Sequence, residues 1–278
     1  VTMADGYDAT HPILVSRFVI RDSHAKARWL SVPEIFMYSS NIGAAKMALD
    51  VGVQGHHDFL AKLGMLSRSP VELPETGQPL VPSRWREINT MTIAFGHGLS
   101  VSPLHMASGV AAMVNGGILY PPTVLARAPG ERGVGRRVIS EATSLEMRRL
   151  MRLVVEHGTG KKADVPGYMV GGKTGTAEKV VDGGYKHKAM LSSFVGAFPI
   201  HDPKYVVMAM LDEPHGSAET RGEATGGWVA APVVSRMIAR LGPILGMAPI
   251  GSDRDDIRQA MRVNIGRKTD GVKHLASY

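Results

Sequence analysis

The chain has 278 residues, 44% hydrophobic and 21% charged, as in an ordinary globular protein with apolar mass for one large domain or two small ones. It holds no cysteine, which excludes disulfides, zinc–thiolate sites and cysteine nucleophiles and fits an oxidising compartment. The formal charge of +7 favours an anionic partner, but the basic residues are scattered and only 6% are aromatic, which argues against a base-stacking nucleic-acid binder.

In chain order, the opening VTMADGYDATHP reads as a loop, expected to continue a longer polypeptide. Ser31-Val-Pro-Glu34 is a capping box with Pro in the first turn, so a short helix follows. Ser39–Gly52 places polar caps ahead of Ile42, Ala45 and Leu49 and ends on glycine, and QGHHDFLAKLGM forms another short helix closed at Gly64. His56-His57-Asp58 reads as the polar start of that helix, not as a metal site, because no second ligand cluster accompanies it. Ser102–Gly117 has an N-cap serine, a first-turn proline and a Gly-Gly stop, the signs of a buried helix. Ser140–Gly158 is amphipathic, with Arg148, Arg149 and Arg152 expected on a solvated face.

After Gly171 the pattern changes to strands: KTGTAEKVV, LSSFVGAFPI and YVVMAML, separated by Asp182-Gly183-Gly184 and His201-Asp202-Pro203. A helix over 227–241 follows. Residues 1–248 are expected to form one domain and 249–278 a charged tail, peripheral or disordered beyond one or two helical turns. No apolar run reaches the roughly 18 residues of a membrane span, and no signal peptide is read.

GYMVGGKT (167–174) matches the phosphate-binding pattern G-x-x-x-x-G-K-T, but its context is wrong. KKADVP precedes it where a buried strand is required, and Gly175 and a strand-like run follow where a helix is required. The gaps between the three strands are turn-sized, so the sheet is antiparallel. As a strand, the same residues put Thr174 and Thr176 on one side and Lys173 on the other. The two hydroxyls can take a substrate carboxylate together, and Gly175 lets a substrate backbone lie close. Ser39-Ser40-Asn41 sits far upstream between two helices, where its residues could simply be caps.

An S-x-N followed much later by K-T-G is the pairing of serine acyltransferases that react with penicillin. The chain resembles the transpeptidase domain of the class B penicillin-binding proteins, closest to the division type. The resemblance runs from about Asp5 to about Leu245. It includes VIRDSHAKARWLSVPEIFMYSSNIGAAKMAL, IAFGHGLSVSPLHMASGVAAMVNGG and GGKTGTAEK with the two strands after it. It implies an α+β penicillin-binding-protein/β-lactamase-like fold: an antiparallel sheet with helices on its faces plus an all-helical subdomain, incomplete at the N-terminus. It implies that Ser39 relays a proton to the leaving amine and that Lys173 sets the charge state beside it. By the same resemblance, Asn41 holds the acyl-side amide of the stem peptide, Thr174 and Thr176 bind the terminal carboxylate of D-Ala-D-Ala, and the Thr176 N–H is an oxyanion donor. His97 is expected near the active-site face, shaping the cleft or packing.

The family also needs an S-x-x-K whose serine is acylated. The one match, Ser23-His24-Ala25-Lys26, stands too close to Ser39 and reads as a surface loop, so the nucleophile is expected upstream of Val1 together with a membrane anchor and the first strands of the sheet. Tyr205–Leu211 would then carry an exposed apolar edge. The implied function is a peptidoglycan D,D-transpeptidase on the periplasmic face of the inner membrane, without a cofactor or metal. Its expected partners are stem peptides, β-lactams and division or elongation proteins. A D,D-carboxypeptidase or β-lactamase-like hydrolase, and a non-catalytic module binding division proteins, are the alternatives.

Overall fold

The computed structural model describes residues 1–15, 18–128, 130–131, 133–181, 184–250, 254–263 and 265. Two small hairpins open the chain. β1 (Gly6–Asp8) is followed by β2 (Ile13–Val15) and β3 (Phe18–Ile20), which pair with each other, and then by β4 (Trp29–Ser31), which returns to pair antiparallel with β1. These three-residue strands carry no periodicity of their own and were not predicted.

The expected helices follow. α1 (Val32–Tyr38) has the full Ser31/Glu34 capping box, and the Glu34 carboxylate also holds Arg28 at 2.7 Å. α2 (Asn41–Val51) is capped by Ser40, whose Oγ accepts from the Gly43 N–H, and ends at Gly52. α3 (Val53–Lys62) carries His56 and His57, whose rings meet Trp85 edge-on. α4 (Glu87–Ala94) has no Ser, Thr or Asp cap to announce it; the Asn89 side chain reaches back to the Arg86 N–H instead. His97 lies just after it, its ring tilted against Phe95.

α5 (Pro103–Val114) starts at Ser102 with proline in its first turn, as predicted. β5 (Ile118–Leu119) and β6 (Arg136–Arg137) form a short ladder before α6 (Glu141–Glu156), capped by Ser140. β7 (Gly171–Val181), β8 (Gly184–Phe198) and β9 (Tyr205–Asp212) then make the antiparallel sheet in the order β7-β8-β9. Of the turn expected between β7 and β8, Asp182 and Gly183 lie outside the described residues. The helix expected over 227–241 is α7 (Gly226–Val229) running into α8 (Ala231–Ile244).

The sheet separates two cores by period-two alternation. On one face Phe194, Phe198, Val207 and Ala209 pack against Ala231, Val234 and Ile238 of α8. On the other, Ala197 and Val206 meet Val114 of α5, Met151 of α6 and Phe36 of α1. Phe194 and Phe198 are fully buried, worth roughly 1.5–3 kcal/mol each by area removed from water. Among the described strands β9 pairs only with β8, and Tyr205 and Met210 on it are exposed, in line with the open apolar edge expected there.

Two expectations are corrected. The α6 arginines are not a solvated face. Arg152 is 12% exposed and reaches Glu156, Asp164 and the Val170 carbonyl; Arg148 donates to the His201 carbonyl and Arg149 to that of Ala260. Three long cations thus tie α6 to the start of β7, the β8–β9 turn and α9 (Asp255–Ala260). The tail is also not wholly peripheral, because Met261 is buried beside Val114 and Ile200, and the Ile250 N–H bonds the Gly167 carbonyl. The rest of the tail, from residue 266, lies outside the described residues.

Candidate active site

Lys173 and the two threonines leave β7 in opposite directions. Gly171 and Lys173 pair with Ala197 and Val195, on the side of α1 and α6, whereas Thr174 and Thr176 pair with Phe194 and Ser192, on the side of α7. The predicted alternation is therefore observed, and residues 171–181 form a strand with no helix after the Lys-Thr, so no phosphate loop exists.

Ser39 ends α1 in a left-handed conformation, φ 59°, ψ 47°. A non-glycine residue holds that conformation against about 1–2 kcal/mol, so its surroundings must impose it. Both the Ser39 and Ser40 N–H groups bond the Ile35 carbonyl, and Ser40 begins the cap of α2 at once. The sharp reversal leaves Ser39 exposed, with its Oγ 2.6 Å from Lys173 Nζ, although 134 positions separate the two. Lys173 Nζ also donates to the Thr174 carbonyl at 3.2 Å and lies over the Phe36 ring at 5.9 Å. Among the described residues no carboxylate pairs with it, and removal from water lowers the pKa of the Lys173 ammonium to about 8.

Asn41 opens α2 beside Ser39, and its Nδ2 donates to the Arg21 carbonyl at 2.7 Å, which orients the amide. Thr174 Oγ1 lies 2.7 Å from Thr159 Oγ1. Thr176 Oγ1 accepts from the Gly226 N–H at 3.0 Å, which leaves the Thr176 hydroxyl proton to donate elsewhere. Gly226 can approach so closely because a Cβ there would stand 2.3 Å from the Ser193 carbonyl oxygen and 2.5 Å from that of Gly175. Gly175 itself was expected to be glycine for the sake of a substrate backbone. Across the strand a Cβ there would lie 2.6 Å from Ser193 Oγ, a hydroxyl that can rotate away, so the fold alone crowds this position only mildly.

The structure thus joins Ser39 and Lys173 directly, sets Asn41 two residues beyond Ser39 at the start of α2, and puts Thr174 and Thr176 on the side of β7 opposite Lys173. Ser23-His24-Ala25-Lys26 sits in an exposed turn after β3, not on a helix, and Lys26 rests on the Tyr38 ring. Thr159, Gly226 and Phe36 were missed as site residues. Only the glycines around Thr159, in His157-Gly158-Thr159-Gly160, offered a signal. Among the described residues no group of three or more His, Asp or Glu side chains could hold a metal ion.

An exposed serine held to a desolvated lysine across a helix junction and a sheet strand is a pair through which a proton can pass, set on an α+β fold. The particular family follows from comparison. Residues 13–239 match the model of the penicillin binding protein transpeptidase domain, and the chain belongs to that family. It is 44% identical over 255 residues to the probable peptidoglycan D,D-transpeptidase FtsI of Caulobacter vibrioides, covering 88% of this chain and 43% of that protein. It is 35% identical over 231 residues to stage V sporulation protein D of Bacillus subtilis, covering 78% of this chain and 34% of that one. These relatives bear out the class B, division-type resemblance. Among solved structures, the transpeptidase domain of penicillin-binding protein 3 from Burkholderia pseudomallei superposes with a TM-score of 0.81 at 33% identity, over 90% of this chain and 75% of that one. Penicillin-binding protein 3 of Mycobacterium tuberculosis, in complex with ampicillin, gives 0.77 at 27% identity, over 87% and 57%. The chain spans about two fifths of the FtsI relative's length. No helix among the described residues is long and apolar enough to cross a membrane.

Proposed function

We propose that this chain carries two of the three catalytic motifs of a peptidoglycan D,D-transpeptidase that cross-links stem peptides by serine acyl transfer. The observation that carries the reading is the 2.6 Å contact between Ser39 Oγ and Lys173 Nζ. A hydroxyl in contact with an ammonium near 8 has a proton partner that can give or take a proton close to neutral pH. In the first half-reaction a serine oxygen bonds the carbonyl carbon of the penultimate D-alanine. The C–N bond to the last D-alanine breaks, and the proton that the attacking serine gives up reaches the departing amine by relay through Ser39, which takes one proton as it passes one on. In the second, the amine of a neighbouring stem peptide takes the acyl group and the serine recovers its proton.

Thr176, whose hydroxyl proton is free to point outward, and Thr174 would hold the terminal carboxylate, and the Asn41 amide would hold the acyl side. The Thr176 N–H would be one oxyanion donor, worth roughly 3–4 kcal/mol of transition-state stabilisation where such donors have been removed. The acyl-bearing serine is assigned to an S-x-x-K outside residues 1–278, because Ser23-x-x-Lys26 stands in a turn where no helix holds the two side chains together. The relatives' names favour transpeptidation over hydrolysis, and the family favours the extracytoplasmic, periplasmic face as the site of action. β-Lactams, which the ampicillin complex of the mycobacterial relative contains, and division proteins are the proposed ligands and partners.

The test is covalent labelling by a fluorescent penicillin followed by denaturing electrophoresis, on this chain and on the full-length polypeptide. Labelling of the full-length protein alone is the expected result. Labelling of the 278-residue chain would overturn the assignment of the nucleophile, and no labelling of either would sink the acyl-transfer reading.

A further inference from the structure

Asp22 stands two residues beyond β3 and takes no part in the chemistry just described. Its carboxylate nevertheless accepts two hydrogen bonds at the helix junction, from Ser40 Oγ–H at 2.8 Å and from the Ile42 N–H at 3.0 Å. Its neighbour Arg21 accepts the Asn41 amide through its carbonyl. One dipeptide therefore engages each of the three residues that follow Ser39. The dipeptide is itself anchored, because Ile20 at the end of β3 is buried against Ala45 of α2 and Met91 of α4. On the α1 side of the junction the Ile35 carbonyl accepts from the Ser39 and Ser40 N–H groups, and on the α2 side the Asp22 carboxylate accepts from Ser40 Oγ–H and the Ile42 N–H. A left-handed serine between two helices reverts to a relaxed conformation unless both sides are held.

We propose that Asp22 is a positioning residue for acyl transfer: its carboxylate clamps the N-terminus of α2, so that Ser39 stays within reach of Lys173 and the Asn41 amide faces the substrate. The carboxylate also lies where the helix dipole favours an anion, which fits the role but is too general to carry it. What distinguishes Asp22 from an ordinary cap is that the residues it holds are those next to Ser39. The catalytic consequence rests on the acyl-transfer reading, whereas the structural one rests on the hydrogen bonds alone.

The experiment has two readouts. In the 278-residue chain, Lys173 is titrated by NMR on 13C-dimethylated lysines and assigned with Lys173→Arg. Asp22→Ala should raise its midpoint by about half a unit or more toward ordinary lysine, as the Ser39 turn loosens and water reaches Nζ. Asp22→Asn, which keeps an acceptor for the Ile42 N–H, should leave it near wild type. In the full-length polypeptide, the rate constant of penicillin acylation should fall about tenfold or more for Asp22→Ala, with little change in the initial binding constant. Asp22→Asn should restore most of that rate. If the alanine variant does not fold, Asp22→Glu decides: a carboxylate one methylene too long should slow acylation at a near-normal melting temperature. An Asp22→Ala or Asp22→Glu protein that acylates at the wild-type rate per folded molecule, with the Lys173 midpoint unmoved, would overturn the proposal. If the wild type is not acylated at all, the acyl-transfer reading fails, and the Lys173 titration still decides whether Asp22 holds the turn.

Discussion

The hydroxyls of Thr159 and Thr174 meet 2.7 Å apart, one from the glycine-flanked turn after α6 and the other from β7. Neither threonine is fully exposed, so each is the other's main means of staying hydrogen-bonded, and the pair fixes the rotamer of Thr174. Thr159→Val keeps the shape and removes the partner. The expected cost is about 1 kcal/mol of stability, measured as a shift in urea midpoint at constant slope. Penicillin acylation of the full-length protein should slow several-fold if Thr174 is needed to receive a carboxylate. An unchanged acylation rate would remove Thr174 from the substrate site.

Lys173 gives a prediction in pH. Its folded-state pKa, about 8, lies below the ordinary 10.5, so between those values the unfolded chain binds more protons than the folded one. Stability contributed at this position therefore rises as pH increases from 8 toward 10.5, and below 8 the buried charge is a constant cost. The full shift corresponds to an upper bound of about 3 kcal/mol. Lys173→Met should be the more stable protein at pH 7, with its advantage shrinking as the pH approaches 10. Urea midpoints of both proteins across this range are the check, and a pH-independent difference would refute it.

Arg152 should matter to folding and not to chemistry. Its guanidinium bonds Asp164 at 2.8 Å, Glu156 at 2.9 Å and the Val170 carbonyl, next to the residues that begin β7. Arg152→Met keeps the apolar stem and strands three acceptors, one of them a main-chain carbonyl. A loss of about 1–3 kcal/mol is expected, more than for the exposed ion pair of Lys204 and Asp202. Chemical denaturation of Arg152→Met beside Lys204→Met would show whether the ordering holds.

The open side of β9 should be visible in amide exchange. Alternate amides of Tyr205–Asp212 turn away from β8 and find no partner strand among the described residues, whereas β8 is paired on both sides. In monomeric protein those alternate amides should exchange at least about a hundredfold faster than the amides of Leu191–Phe198, by the free energy that separates an open edge from a core strand. Equal protection across β8 and β9 would mean that the edge is covered. Met210→Lys, on the exposed part of the edge, should lower aggregation without lowering the melting temperature.

What could be read from the sequence was local. Ser31-x-x-Glu34, Ser102-Pro103 and Ser140 announce helix starts, because a cap is satisfied by groups within a turn of itself. The three long strands and their antiparallel order follow from alternation and from turn-sized gaps. Ser39, Asn41 and Lys173 were found through a family pattern, and Lys173 was set apart from Thr174 and Thr176 by the period of a strand. The rest was decided by contacts between distant segments. β1 and β4 are strands only because they meet across some twenty residues, α4 lacks any cap letter, and the α6 arginines read as solvent-facing until the β8–β9 turn and α9 close over them. The left-handed turn at Ser39 and the hydrogen bonds of Asp22 and Thr159 arise from side chains that converge only after packing. The proton chemistry of Lys173 belongs to that second group too, since no sequence pattern states how much water a lysine will lose.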